Sequence, residues 1–122
     1  GTVINPLLAE GQVHGGVAQG ISQALYEHLV YEPTTGQPLN STFLEYLVPS
    51  AADLPGYTAG RITTPCPNNP LGAKGIGESG AVGAPAAVIN AIVDALAPFG
   101  VEHIDMPATP EKVWALMQGG AR

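Results

Sequence analysis

The chain has 122 residues, a net charge of −6, and 11% charged against 45% hydrophobic residues, less than half the charge of an ordinary soluble domain at about 25%. Arg61, Lys74, Lys112 and Arg122 are its only cations, so no basic stripe exists for a phosphodiester backbone and nucleic acid is excluded as a partner. Cys66 is the sole cysteine, which rules out an internal disulfide or a multi-cysteine metal site within the chain and suits a reducing compartment such as the cytoplasm.

Val17, Ile21, Ala24, Leu25 and Leu29 recur at helical spacing after "EGQVHGG", predicting a helix from Val13 or Gly16 to Val30. Gly15, Gly16 and Gly20 make its first turns slim, which admits two readings: close approach of a ligand or tight packing of another helix. "EPTTGQP", residues 32 to 38, reads as a turn. "LNSTFLEYLVP" and "GYTAGRITTP" read as two strands, and "CPNNPLG" as irregular backbone. Pro85 suits a first helical turn, and the following residues to Leu96 are apolar nearly all round, so this helix is expected to be buried on several sides. "VEHIDM" is a short strand candidate, and Thr109 and Pro110 open a last helix that ends at Gly119. The expected fold class is α+β, helices packed on short β-strands. The longest apolar run, residues 81 to 97, is broken by Pro85, Asn90 and Asp94 and falls short of the ~20 residues that span a bilayer, so no membrane span is expected.

The densest motif is "NPLGAKGIGESGAVGAP", in which Glu78 sits among Gly72, Gly75, Gly77, Gly80 and Gly83. A carboxylate between irregular backbone and a helix start should be a charged acceptor. Bare glycines around it would let something larger than water approach, as a general base requires. Two familiar patterns overlap this stretch and lack their context. Gly75, Gly77 and Gly80 satisfy G-x-G-x-x-G with Asp94 downstream, but "TTPCPNNP" supplies no preceding strand. Ser79, Asp94 and His103 follow the order of a serine hydrolase triad, a remote alternative, yet "GESGA" misses the nucleophile elbow at Ala81. His14, His28 and His103 show no zinc-binding spacing. His28 reads as a helix-surface residue, and His14, beside Gly15 and Gly16 near Gln12, as a structural or supporting residue.

Taken together, "EGQVHGGVAQGISQALYE" and "NPLGAKGIGESGAVGAPAAVINAIVDAL" resemble the carboxy-terminal part of the large, molybdenum-binding subunit of the xanthine dehydrogenase, aldehyde oxidase and aerobic carbon monoxide dehydrogenase family, and the likeness runs from "GTVINP" to "HIDMPATPEKVWALM". The resemblance implies that residues 1–122 are one incomplete segment of a molybdenum-cofactor-binding domain. It maps the family's active-site glutamate onto Glu78, which would accept a proton from a metal-held hydroxyl as oxygen passes to an electrophilic carbon. It maps a pterin-contacting glutamine onto Gln12, whose amide can donate and accept, and sets Gly77 beside the cofactor through its backbone. Lys74 is a minor candidate for the same contact, and Cys66 does not correspond to the family's copper-binding cysteine.

The implied activity is oxidation of an aldehyde, an N-heterocycle or carbon monoxide with water-derived oxygen. The implied cofactor is molybdenum–molybdopterin in its cytosine dinucleotide form, with FAD and iron–sulfur clusters on other subunits or domains. Expected partners are the remainder of the large subunit, the iron–sulfur and FAD subunits and a small-molecule substrate. The competing class is a non-catalytic assembly or interaction module, which, when isolated, would self-associate through exposed apolar faces.

Overall fold

The computed structural model describes residues 1–119; Arg122, counted above among the cations, lies outside the described residues. Among the described residues there are three α-helices, α1 (Pro6–Leu25), α2 (Ser79–Leu96) and α3 (Pro110–Met117), with short 3₁₀ turns at Ala51–Asp53 and Ala97–Phe99.

Helix α1 starts earlier than the hydrophobic periodicity indicates, because its start is fixed by a cap. The Asn5 side chain accepts a hydrogen bond from the Leu8 amide at 3.1 Å and Pro6 occupies the first helical position, where its missing N–H costs nothing. The helix also stops at Leu25 instead of Val30: the Tyr26 and Glu27 amides both turn back to the Ser22 carbonyl. His28 therefore lies in the loop beyond the helix, its carbonyl accepting from Asn40 Nδ2 at 2.6 Å.

The predicted strands do not form, and the regular structure among the described residues is almost entirely helical. Their one β-bridge pairs Tyr31 with Pro38 around the predicted turn, where Gly36 takes a φ of +70° and the Glu32 carboxylate receives the Thr34 and Thr35 amides. Within "LNSTFLEYLVP" the Glu45 and Tyr46 amides instead close a tight turn on the Thr42 carbonyl. "GYTAGRITTP" and "VEHIDM" carry no regular structure. A strand needs a neighbour for its row of amides and carbonyls, and β-rich composition alone supplies none.

Helix α2 begins six residues before Pro85, with Glu78 at its N-cap. Pro85 sits inside it, withholding one backbone donor. With the turn that follows, Ser79–Phe99 makes a run of 21 residues, longer than the predicted apolar run and sufficient by length and composition to cross a bilayer. The expectation that α2 is buried on several sides also needs correction, since only Gly80 and Leu96 are buried and Val82 is 80% exposed. α3 follows its sequence signals closely: Thr109 caps the Lys112 amide, Pro110 is first, and Gly119 takes a φ of +75° just beyond the end.

Helices α1 and α2 pack backbone to backbone. A Cβ placed on Gly16 would lie 2.9 Å from the Ala81 nitrogen and the Gly80 Cα, and one on Gly20 would lie 2.9 Å from the Pro85 ring. Tight helix packing is thus what Gly16 and Gly20 serve, while Gly15 faces open space. Beyond this seam the core is small: Ala24, Leu96, Ile104 and Ala108 are its buried hydrophobic side chains. The Ala108 amide donates to the Ala24 carbonyl at 2.6 Å and ties the segment before α3 to the end of α1. The chain exposes 8704 Å², whereas a compact monomer of this mass would expose about 6,100 Å².

Candidate functional site

The loop leading to Glu78 is anchored at its start. The Gly72 carbonyl accepts the Thr2 amide at 2.8 Å and the Cys66 amide at 2.9 Å, and Gly72 itself turns with a φ of +63°. Asn69 braces the same turn, its amide exchanging two 3.0 Å bonds with the Ala73 backbone. From there the chain runs through Gly75 and Gly77 to Glu78, whose carbonyl receives the Ala81 and Val82 amides and so begins α2.

The glycines around Glu78 divide by what occupies the space beside them. Gly72 serves the turn and Gly80 the helix seam. Gly75 and Gly83 have nothing within 4 Å of an added Cβ, and Gly77 would meet only the Gln12 side-chain oxygen, at 3.6 Å. The fold thus brings Gln12 of α1 to the Gly77–Glu78 stretch, 65 residues away in the chain. All three are exposed, and the Glu78 side chain makes no capping bond to its helix.

A cleft of about 540 Å³ opens on this side of the molecule. The cap residue Asn5, with Leu8, Ala9 and Gln12 of α1, forms one wall, Gly60–Thr63 another, and Lys74–Ile76 with Ser79 a third. Gln12 and the minor candidate Lys74 share this cleft, whereas Gly77 and Glu78 are not among its lining residues. Arg61 was missed by the sequence reading, in which its only signal was being one of four cations; it joins Lys74 in the lining and reaches Glu10, Nη2 to Oε2, at 3.7 Å. His14 does not line the cleft. Its ring meets Tyr57 at 5.3 Å between centroids and 51° between planes, and its Nε2 lies 3.8 Å from Glu10 Oε1.

The serine-hydrolase arrangement is not assembled. Ser79 and Asp94 sit near opposite ends of α2, about 22 Å apart along its axis, and the His103 ring is engaged with Asp105 at 2.9 Å. A second hollow, about 630 Å³, is lined by Phe99–His103, Leu116 and Gly119 and contains none of the predicted cofactor residues.

The perturbed titrating groups also lie away from the cleft. Backbone and hydroxyl bonds from Thr35, then Thr34, hold the Glu32 carboxyl below its ordinary value. Ser50 does the same for Asp53, and the His103 ring for Asp105. The Glu27 carboxylate, accepting from the Tyr46 hydroxyl at 2.7 Å, pushes that phenol up.

Gln12 of α1, the loop residues Arg61 and Lys74 and the bare backbone of Gly75 thus line one cleft beside the glycine seam of α1 and α2. Residues 1–55 match the family described as the molybdopterin cofactor-binding domain. The nicotine 6-hydroxylase large subunit of Paenarthrobacter nicotinovorans is 45% identical over 119 residues, covering 98% of this chain and 14% of that protein. The carbon monoxide dehydrogenase large chain of Hydrogenophaga pseudoflava is 40% identical over 114 residues, 93% of this chain and 14% of that protein. Among solved structures, quinoline 2-oxidoreductase from Pseudomonas putida 86 superposes with a TM-score of 0.92 at 42% identity, over 99% of this chain and 15% of that one. The chain belongs to the large, molybdenum-binding subunit family of the carbon monoxide and xanthine dehydrogenases, and it spans 14 to 15% of the length of these relatives.

Proposed function

We propose that this chain forms one wall of a molybdenum hydroxylase active site, with Glu78 as the catalytic base and Gln12 and Gly77 as cofactor contacts. The observation that supports this reading is the meeting of Gln12 with the Gly77–Glu78 stretch, the Gln12 oxygen lying 3.6 Å from where a Gly77 side chain would begin. The donor set fits a pterin carrying phosphate. An exposed amide can satisfy both the donors and the acceptors of a pterin edge, bare backbone at Gly75 and Gly77 allows close approach, and Lys74 and Arg61 offset negative charge.

The bound group would be molybdenum–molybdopterin in the cytosine dinucleotide form; it supplies Lewis acidity and the two-electron redox chemistry that the side chains here lack. Glu78 contributes a carboxylate at the start of α2, not committed to capping that helix. Its part is to accept a proton as water-derived oxygen is transferred to an aldehyde, an N-heterocycle or carbon monoxide. Gln12, rooted on the regular turns of α1, orients the pterin against the Gly77 backbone. FAD and iron–sulfur clusters belong in this reading to other subunits or domains, and the assembly to the cytoplasm.

Residues 1–122 on this view are a carboxy-terminal segment of the cofactor domain. The remaining polypeptide covers the exposed faces of α2 and gives the β-rich segments the strand neighbours they lack here, which is the sense in which the complete domain is α+β. In the complete enzyme, Glu78→Gln should lower turnover roughly 100-fold or more at unchanged molybdenum content. Turnover at the unsubstituted level would sink the assignment.

The 8704 Å² of exposed surface also supports a second reading for the chain on its own, a non-catalytic interaction module. Purified alone from cells that make the pterin cofactor, it should carry no molybdenum and should self-associate in gel filtration. A monomeric chain with stoichiometric metal would contradict that second reading.

A further inference from the structure

Resting on the reading of the Gln12 cleft as part of the cofactor's seat, we propose that Glu10 is a positioning residue, which straps the chain segment from Pro55 to Thr64 around α1 and thereby sets one wall of that cleft.

This segment has no secondary structure, and among the described residues none of its backbone groups takes part in a hydrogen bond. It is also exposed almost throughout, Ile62 to 98%. Yet Gly60, Arg61, Ile62 and Thr63 line the same cleft as Gln12. A wall built from unsupported backbone needs side chains to hold it in place.

Two side-chain contacts meet that need, and both lead to Glu10. Its Oε2 faces the Arg61 guanidinium at 3.7 Å, and its Oε1 faces His14 Nε2 at 3.8 Å. His14, one helical turn on, carries the Tyr57 ring at 5.3 Å. One carboxylate therefore addresses Arg61 directly and Tyr57 through His14. The His14 Nε2 and Tyr57 hydroxyl are buried atoms without hydrogen-bond partners, so the Glu10 carboxylate is a polar neighbour that this imidazole cannot lose without cost.

Helical phase makes the arrangement a strap instead of a surface contact. At 100° per residue, Glu10 and His14 share one flank of α1, while Leu8, Ala9 and Gln12 share another about 170° round. A segment that grips the first flank at Tyr57 and Arg61 and lines the cleft on the second has to wrap the helix. Loosening the grip should let the wall drift from Gln12 without unfolding α1, whose own ladder and Asn5 cap are untouched.

The test uses the assembled, molybdenum-loaded enzyme carrying Glu10→Gln or Tyr57→Ala. Limited trypsin digestion of the native complex, with quantification of the peptide ending at Arg61, reads the strap directly. Dialysis against a chelator followed by metal analysis reads the cofactor. Glu10→Gln should speed cleavage after Arg61 by about two- to five-fold, the range expected for one partly exposed ion-pair contact. Molybdenum loss should quicken by a similar factor, with the melting temperature held within about 2 °C. Cleavage and metal loss at the unsubstituted rates in both variants would overturn the proposal. Faster cleavage with unchanged metal retention would overturn the cleft as the cofactor's seat, and with it the positioning role of Glu10. Neither result depends on the Glu78 turnover test, so the two failures are distinguishable.

Discussion

Gly80 is where the seam between α1 and α2 can be opened by a single methyl group. A Cβ there would overlap the Val13 carbonyl oxygen and lie 2.8 Å from the Val17 nitrogen and 3.0 Å from the Gly16 carbonyl carbon. All three obstacles are backbone, which cannot rotate away, so the helices must part by about half an ångström or more. Overpacking of this kind costs about 3 kcal/mol, and the ~1 kcal/mol that alanine gains over glycine within a helix offsets only part of it. The net loss for Gly80→Ala is about 2 kcal/mol. Gly83, three residues further along the same helix, has nothing within 4 Å of an added Cβ; on the packing of this chain alone, Gly83→Ala keeps the propensity gain. Thermal melting of the complete large subunit carrying each substitution measures the difference, with molybdenum content as a second readout. Gly80→Ala should melt a few degrees lower and lose molybdenum, since parting the helices moves Gln12 away from Gly77. A Gly80→Ala subunit that melts at or above the unsubstituted protein would refute the seam.

Three further outcomes test other parts of the structure. Gly77→Ala adds a methyl that the chain itself accommodates, at 3.6 Å from the Gln12 oxygen, so lowered molybdenum content at an unchanged melting temperature is expected, and undiminished metal would place the cofactor elsewhere. Asn5→Ala removes the cap on Leu8 and should destabilise α1 by about 1 kcal/mol, read as faster amide exchange in its first turn. In alkaline absorbance titration, one of the four tyrosines should ionise above the ordinary value of 10.0, chiefly because the Tyr46 hydroxyl donates to Glu27 and in part because of desolvation, and Glu27→Gln should reduce that shift. The raised value means that the Tyr46–Glu27 contribution to stability is complete below the unfolded tyrosine's value and is lost as pH climbs through the folded one.

Local signals in the sequence were reliable where a side chain closes a structure on its own neighbours. Thr109, Pro110 and Gly119 bound α3 because cap, first-turn proline and left-handed glycine act within a few residues. The turn at 32–38 was legible for the same reason. The start of α1 was not read, although Asn5 and Pro6 carry the same chemistry as Thr109 and Pro110, because the polar Glu10 and His14 fall on the stripe that Val17, Ile21 and Leu25 continue and interrupt its apolar period. Pro85 misled in the opposite direction: a residue common at helix starts lies here inside α2, against Gly20 of the neighbouring helix. The strands failed for a non-local reason, since composition marks a segment as fit for a sheet and cannot provide the second edge. Of the candidate site, Glu78 stood out by its glycines and Gln12 and Gly77 by motif resemblance; Glu10 lies in the same "EGQVHGG" stretch with no role assigned to it, and Tyr57 and Arg61 had no motif to announce them.

The glycines show why motif and mechanism had to be separated by geometry. Read as one cluster, the five around Glu78 all suggested room for a ligand. In the fold, Gly72 is spent on a left-handed turn and Gly80 on the α1 seam, and neither leaves space for anything. Gly75, Gly77 and Gly83 have no packing or turning duty in this chain, and the first two lie just before the carboxylate. Gly80 still matters to the site, although it cannot touch a ligand there: by letting α2 lie directly on Val13 and Val17 it brings Glu78, at the head of α2, to the turn of α1 that bears Gln12. Substitution at Gly80 should therefore disturb the cofactor through the spacing of two helices, and substitution at Gly77 through direct obstruction. Melting temperature, which should fall only in the first case, separates the two causes.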